Sequence, residues 1–251
     1  MSFAPIISCC KDLLKHLPNA REALDYSSSR ISPSALDRFE LGYFPSNNNL
    51  QTLISLIGEP SLKALDLIYD KTLSDGVSSR TFKHSSLEHH NLIMPYKDVY
   101  GNIIAIVGRS ILPDDKRQHL NISKYKNTSF NKGSHFFGLF EAKDSVIANN
   151  AVFIVEGQFD AISAQDKGIP NTIALGSSNM TFEQFALITR YTNNLMLLLD
   201  NDNAGKLGAE KIIKSYGRYA NIKQCKIPDG YKDIDDALKD NSIEDISLVI
   251  R

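Results

Sequence analysis

The sequence predicts an α/β fold in two parts, an α+β N-terminal part and a C-terminal part built on an open, mostly parallel sheet. Three observations support this. From residue 151 onward, short apolar runs alternate with helical segments, which is typical of a parallel sheet. Carboxylates directly follow two of these apolar runs. The earlier residues combine helical periodicity with one hairpin pattern. We place the boundary between residues 147 and 148.

Composition limits the class of protein. The chain has 251 residues and 42% hydrophobic content, enough for a substantial core. It has no apolar run of about eighteen residues, and its start lacks the zones of a signal peptide, so we expect a cytoplasmic protein without a membrane segment. The three cysteines form no Cys-x-x-Cys pair, so we expect no structural zinc in this chain.

Charge is distributed unevenly although the net charge is only −1. Residues 97–132 contain seven Lys or Arg against three Asp, whereas residues 229–245 contain seven acidic residues against two Lys. Local patches rather than totals steer polyanions, so the first segment is a candidate surface for phosphates.

In the N-terminal part, helical periodicity predicts helices over residues 8–24, 32–39, 50–57 and 61–69, with Pro18 interrupting or ending the first. Residues 92–95 and 103–107 predict two strands joined by a turn. The polar and basic stretch 113–133 has few apolar anchors, which predicts a long, partly ordered surface segment.

In the C-terminal part, strands are predicted at 151–155, 171–175, 195–199 and near 222–226. Helices are predicted after Gln158, from Thr181 and from Ala204. Thr181 and Gln184 have the spacing of a capping box.

Acidic residues follow two of these strands. Glu156 ends one apolar run, and Asp200 and Asp202 follow another. Since carboxyl ends of parallel strands meet at one edge, we expect these side chains to converge there, where carboxylates suit Mg²⁺. The alternative is that the segment from Asp200 to Asp202 only caps a helix and Glu156 is a solvated strand end. Asp160 could either support the site or contact the metal.

These residues also resemble a known family. Glu156-Gly-Gln-Phe-Asp160, followed by Asp200-Asn-Asp-Asn-Ala-Gly205, is similar to the Toprim fold shared by DnaG-type primases, topoisomerases and some nucleases. Upstream, Gly108-Arg109, Ser123–Asn127 and Phe130–Gly133 resemble the bacterial and phage DnaG-type primase core in order and spacing. The resemblance covers most of the chain.

The resemblance implies a basic primase-core subdomain over residues 1–147 and a Rossmann-like Toprim subdomain over 148–251. It also implies that the zinc-binding and helicase-related domains of such primases are lacking here.

The implied catalytic residues are Glu156, Asp200 and Asp202, and the implied metal ligands are these three with Asp233 and Asp235. Ile234 stands where primases commonly have proline. The implied metal is Mg²⁺, for which Mn²⁺ can substitute. The implied nucleotide- or DNA-binding residues are Arg30, Arg109, Lys124, Asn127 and Lys132.

The function implied by the resemblance is that of a DNA primase, a nucleotidyltransferase that copies single-stranded DNA into short RNA primers from nucleoside triphosphates during replication. A replicative helicase or a separate zinc-binding protein is the expected partner. A phage or other mobile element is the expected source, and the host cytoplasm is the expected location if the source is viral. Two alternatives stay open: a Toprim-type metal-dependent nuclease, and a non-catalytic replication accessory that binds single-stranded DNA.

Overall fold

A computed structural model describes residues 2–74 and 78–239. These residues form two compact units. The first unit comprises the described residues of Met1–Ser29, Phe39–Tyr96 and Ile103–Phe130, and the second comprises those of Arg30–Arg38, Lys97–Asn102 and Asn131–Arg251. Because each unit contains several separate segments, no single position in the sequence divides them. The boundary between residues 147 and 148 stays a prediction.

The helices, in chain order, are α1 (Ala4–His16), α2 (Arg21–Ser28), α3 (Pro33–Arg38), α4 (Leu50–Ile57), α5 (Glu59–Ala64), α6 (Asp114–His119), α7 (Leu139–Asn149), α8 (Gln158–Asp166), α9 (Phe182–Ile188), α10 (Asn203–Tyr216) and α11 (Ile234–Lys239). The strands are β1 (Gly42–Tyr43), β2 (Ile68–Ser74), β3 (Ser79–Ser85), β4 (Leu92–Lys97), β5 (Ile103–Arg109), β6 (Tyr125–Asn127), β7 (Val152–Val155), β8 (Thr172–Ala174), β9 (Asn194–Leu197) and β10 (Asn221–Gln224).

The first unit contains a sheet in the order β1-β4-β5-β6 and a separate hairpin of β2 and β3. The predicted hairpin is confirmed as β4 and β5, with a backbone hydrogen bond from Asp98 to Asn102 across its turn. The predicted interruption at Pro18 is confirmed: Leu17 becomes extended before Pro18, as residues preceding proline commonly do, so α1 and α2 are separate helices.

Two other N-terminal predictions need correction. The helix predicted over 61–69 was wrong beyond Ala64, because residues from Ile68 onward pair with β3 as a strand. The segment 113–133 is more regular than predicted: it contains α6 and β6, and β6 pairs with β5. Pairing with β5 satisfies the backbone hydrogen-bonding groups of β6 although its side chains offer few apolar anchors. The polar composition of the segment therefore suggested a loop where a strand forms.

The second unit is the predicted α/β alternation. Its sheet has the order β10-β9-β7-β8, and all of these neighbours pair in parallel. The predicted capping box is confirmed, since the N–H of Gln184 donates to Oγ1 of Thr181 and the N–H of Thr181 donates to Oε1 of Gln184. Phe136 and Phe137 are buried in the core.

An early segment of the chain belongs to this second unit. The N–H of Ser32 donates to Oδ2 of Asp166 at the end of α8, at 2.7 Å. Arg30 forms an ion pair with Asp235 in α11. The second unit therefore combines residues that are about two hundred positions apart in sequence, as the separation of 205 between Arg30 and Asp235 shows.

Within the described ranges, no helix has both the length and the apolar character that a membrane span requires.

Candidate active site

Glu156 and Asp200 meet at the carboxyl edge of the parallel sheet. Glu156 directly follows β7, and Asp200 follows β9 after two further residues. The two strands are parallel neighbours, with Ile154 opposite Leu197. As a result, Oε1 of Glu156 accepts a hydrogen bond from the backbone N–H of Asp200 at 3.3 Å. The structure thus places the carboxylate of Glu156 next to the backbone of Asp200, two of the three predicted catalytic residues.

Asp202 lies just beyond them, at the start of α10. Its Oδ1 accepts from the N–H of Gly205 at 2.8 Å, so it is the N-cap of this helix. A Cβ at Gly205 would lie 2.1 Å from the carbonyl oxygen of Asp200, so only glycine lets α10 begin this close to the Asp200 loop. Asp202 therefore does cap this helix, as the alternative interpretation expected. The cap uses one carboxylate oxygen and is compatible with ligation through the other.

A second acidic group lies in the same unit. Within residues 2–74 and 78–239, Asp160, Asp233 and Asp235 are the group of His, Cys, Asp or Glu residues whose ligand atoms all lie within 4.8 Å of one another. Asp160 is in the first turn of α8. Asp233 precedes α11, and its Oδ1 accepts from the N–H of Asp236 at 2.8 Å. An octahedral Mg²⁺ site prefers oxygen ligands, roughly 3 Å apart when adjacent and roughly 4 Å when opposite, so these carboxylates fit it by chemistry and lie near the required spacing.

Asp235 has partners that reduce its suitability as a ligand. It is 5% exposed, its Oδ1 accepts from the hydroxyl of Ser163 at 2.6 Å, and it pairs with Arg30 and with Lys239, the latter at 2.9 Å. A buried carboxylate requires such cations, which already neutralise it. These contacts favour a supporting role for Asp235, and its predicted ligand role stays a prediction.

Lys132 belongs to the sheet edge. Its Nζ donates to the carbonyl oxygen of Gly176 at 2.8 Å, and the N–H of Gly176 donates to the backbone oxygen of Glu156 at 2.9 Å. Gly176 has a φ of +71°, a conformation that favours glycine. This loop holds the predicted phosphate-binding ammonium next to the strand end that carries Glu156.

The predicted binding residues of the first unit are arranged around tyrosines. Arg109 is 7% exposed, donates to the hydroxyls of Tyr26 and Tyr125, and lies 5.1 and 5.0 Å from their ring centres. Burial by itself lowers the pKa of Arg109, but the two tyrosine side chains outweigh that effect and raise it. This arrangement fixes both rings, whereas a direct phosphate contact of Arg109 stays a prediction.

Lys124 and Asn127 lie close to this group. Nζ of Lys124 is 5.9 Å from the ring centre of Tyr125. Asn127 faces Val107 in the β5–β6 ladder, and its buried Oδ1 accepts no hydrogen bond from the described residues. A buried acceptor without a donor is uncommon, and this one is consistent with the predicted hydrogen bond to a ligand.

Sequence reasoning missed three residues that organise these sites. Tyr26 carried no predicted contact, although it orients with Tyr125 around Arg109. Ser163 and Lys239 hold Asp235, and their spacing could have indicated them, because Ser163 is one turn after Asp160 and Lys239 is four residues after Asp235. His90 is buried with its Nε2 2.9 Å from the carbonyl oxygen of Ser123, and burial lowers its pKa.

The comparisons with known proteins agree with this arrangement. Residues 10–143 match the family model described as the N-terminal domain of the DNA primase catalytic core, and residues 153–238 match the Toprim-like model. A DNA primase of Aquifex aeolicus is 30% identical over 247 residues, which are 96% of this chain and 47% of that protein. The chain spans about half or less of the length of the first curated relatives that it matches.

Solved structures show the same fold. The Aquifex aeolicus primase structure, which contains zinc-binding and RNA polymerase domains, has a TM-score of 0.74 and 26% identity, covering 97% of this chain and 59% of that one. A DnaG primase catalytic domain bound to single-stranded DNA has a TM-score of 0.75 and 23% identity, covering 97% and 74%. The chain therefore belongs to the family of DnaG-type DNA primase catalytic cores, with a Toprim-like domain in its C-terminal part.

Proposed function

We propose that this chain is the catalytic core of a DNA primase that copies single-stranded DNA into short RNA primers from nucleoside triphosphates. The observation that carries the proposal is the convergence of Glu156 and Asp200 at the ends of two parallel strands, in a chain whose N-terminal half matches the primase core. The solved relative that is bound to single-stranded DNA supports the choice of template. Family membership favours this function over the nuclease and accessory alternatives.

Primer extension joins two nucleotides. The 3′-hydroxyl of one attacks the α-phosphate of the other, an O–P bond forms, and pyrophosphate leaves as the bond to the β-phosphate breaks. Catalysis of this reaction consists mainly of positioning and of neutralising phosphate charge. The residues of this chain have to supply both.

The acidic residues are the proposed metal site. Glu156, Asp200 and Asp202 are the proposed catalytic set, and Asp233 joins them as a ligand with Asp160 beside it. Asp235 is retained in the proposed set, although its cation partners favour a supporting role. Bound Mg²⁺, or Mn²⁺ in its place, would supply positive charge to the triphosphate. The carboxylates supply the oxygen ligands that such an ion prefers.

The cationic and amide residues are the proposed nucleotide- and DNA-binding set. Lys132 is held by Gly176 at the edge that carries Glu156, which suits it to a triphosphate. Lys124 and Asn127 are proposed to contact the template or a nucleotide directly. Arg109 is proposed to act together with the two tyrosines that it orients, and Arg30 through its pair with Asp235.

The module boundaries, the partner and the location are also part of the proposal. Residues 1–147 are proposed as the primase-core module and residues 148–251 as the Toprim module. A replicative helicase or a separate zinc-binding protein is the proposed partner in initiation. The proposed location is the cytoplasm, that of the host if the source is viral, because template and nucleotides are found there.

Primer synthesis by the purified chain tests the proposal. The chain is incubated with single-stranded DNA, labelled nucleoside triphosphates and Mg²⁺, with and without a helicase, and the products are separated by gel electrophoresis. We expect short RNA products that depend on template, nucleotides and metal. Cleavage of the template without added nucleotides, and no RNA products, would instead indicate the nuclease.

A further inference from the structure

The β2–β3 hairpin of the first unit has two chemically different faces. Directly opposed residues of an antiparallel pair share a face, and the face alternates along each strand. The register places Tyr69 opposite His84, Lys71 opposite Phe82 and Leu73 opposite Arg80. We call this set the aromatic–basic face; it consists of Tyr69, Lys71, Leu73, Arg80, Phe82 and His84.

The opposite face makes its contacts within the protein. Asp70 pairs with Lys83 and with Lys63, and the hydroxyls of Thr72 and Thr81 hydrogen-bond at 2.8 Å. Acidic and basic groups are therefore matched on that side. By contrast, the aromatic–basic face has two cations, Lys71 and Arg80, and no carboxylate among the residues described in 68–74 and 79–85.

The aromatic–basic face also exposes large apolar side chains. Tyr69 is 45%, Leu73 57% and Phe82 37% exposed. The rings of Tyr69 and His84 stack with centres 5.0 Å apart, which restricts the rotamers of Tyr69. A hollow of about 400 Å³ opens beside Leu73, Arg80 and Phe82. Exposed aromatic surface grouped in this way marks an interaction site more often than isolated apolar residues do.

We propose that the aromatic–basic face binds single-stranded nucleic acid, with bases stacked on Tyr69 and Phe82 and phosphates paired with Lys71 and Arg80. Aromatic rings interleaved with cations are the combination by which proteins hold single strands without reading sequence, because every base has a π face. The absence of acid on this described face allows a polyanion to approach. The aromatic–basic face shares no residue with the sets proposed above for synthesis. This inference rests on the proposed function only in the choice of single-stranded DNA as the probe.

Binding of a short fluorescein-labelled oligo(dT), followed by anisotropy, tests the proposal in the full chain. Tyr69→Ala and Phe82→Ala are each expected to weaken affinity roughly 5- to 150-fold, the range for losing one stacked base. Thr72→Ala and Thr81→Ala change the opposite face of the same hairpin and are the matched controls, expected to bind like the wild type. Aromatic variants that bind within two-fold of the wild type would overturn the proposal.

A charge variant makes the test independent of apolar packing. Lys71→Ala combined with Arg80→Ala is expected to reduce the slope of log affinity against log salt by up to about 1.4, which corresponds to two phosphate contacts on a single strand. An unchanged slope counts against the proposal even if Phe82→Ala fails to fold.

Primer synthesis measured in parallel separates the two proposals. If the wild type makes primers and every hairpin variant binds DNA normally, this inference fails and the proposed function stands. If the wild type makes no primers but the aromatic variants lose affinity, the proposed function fails and this inference stands.

Discussion

Two groups of carboxylates in the second unit differ in what holds them. Glu156 and Asp202 accept from backbone N–H groups, which are neutral. Asp235 instead pairs with Arg30 and Lys239 and accepts from Ser163. Neutral donors orient a carboxylate and leave its charge available to a cation, whereas paired cations cancel it. The cation pairs of Asp235 therefore suit it to holding the fold, whereas metal binding by Glu156 and Asp202 is the role proposed for them.

The largest effect is expected for Glu156→Gln. The amide carbonyl can still accept from the N–H of Asp200, but the negative charge is lost. We expect primer synthesis to fall by about 10²–10³-fold, the size of effect found when one electrostatic contact to a transition state is removed. The measurement is the rate of primer formation, with the thermal midpoint as the control for folding. A variant that loses stability without losing activity would assign Glu156 to the structural group.

Asp235→Asn is expected to have the next largest effect, on stability. It removes the carboxylate that pairs with the partly buried guanidinium of Arg30, which should reduce the free energy of unfolding by about 3 kcal/mol. Denaturant unfolding measures this. Asp236→Asn, at the more exposed neighbouring position, is the matched control and should cost less than about 1 kcal/mol. Equal effects of the two changes would contradict the structural role of Asp235.

Lys132→Met keeps the length of the side chain and removes its charge. If Lys132 binds the triphosphate, the loss of one hydrogen bond to a charged group should raise the KM for nucleotides by roughly 10-fold. Steady-state kinetics measures this, and Lys167→Met, which alters an exposed lysine of the same unit, is the control. An unchanged KM would mean that the contact with Gly176 only supports the loop.

The smallest effect separates the two roles of Asp202. Asp202→Ala removes the cap of α10 and should reduce the free energy of unfolding by about 1 kcal/mol. Asp202→Asn keeps a capping oxygen and should leave the stability nearly unchanged while lowering activity. If Asp202→Asn retains full activity, Asp202 is a cap and nothing more.

The C-terminal half could be predicted well because its signals are local. Apolar strands separated by helical segments predict both the elements and a mostly parallel sheet; Glu156 follows its strand directly, and Asp200 follows its strand after two residues. The strand pairing of 68–74 with 79–85 could not be predicted with equal success, because the pattern of one strand does not show its partner. The local periodicity after residue 61 suggested a helix, and the cross-strand contacts decided otherwise.

The candidate site shows the same limit at the level of side chains. The positions of the predicted strand ends indicated which acidic residues lie at one edge of the sheet. Only the structure shows that Arg30 pairs with Asp235 and that Arg109 lies between Tyr26 and Tyr125. These contacts join segments that are far apart in the sequence. A single sequence does not show which of its distant side chains are in contact.

The discontinuity of the second unit has a consequence for how the polypeptide can be divided. The segment Arg30–Arg38 supplies the guanidinium for Asp235 and the Ser32 contacts to Asp166. A fragment that begins at residue 148 would lack both, and a buried carboxylate would lose a counter-ion. During synthesis on the ribosome, this early segment would emerge first and wait for more than a hundred residues before its binding surface exists.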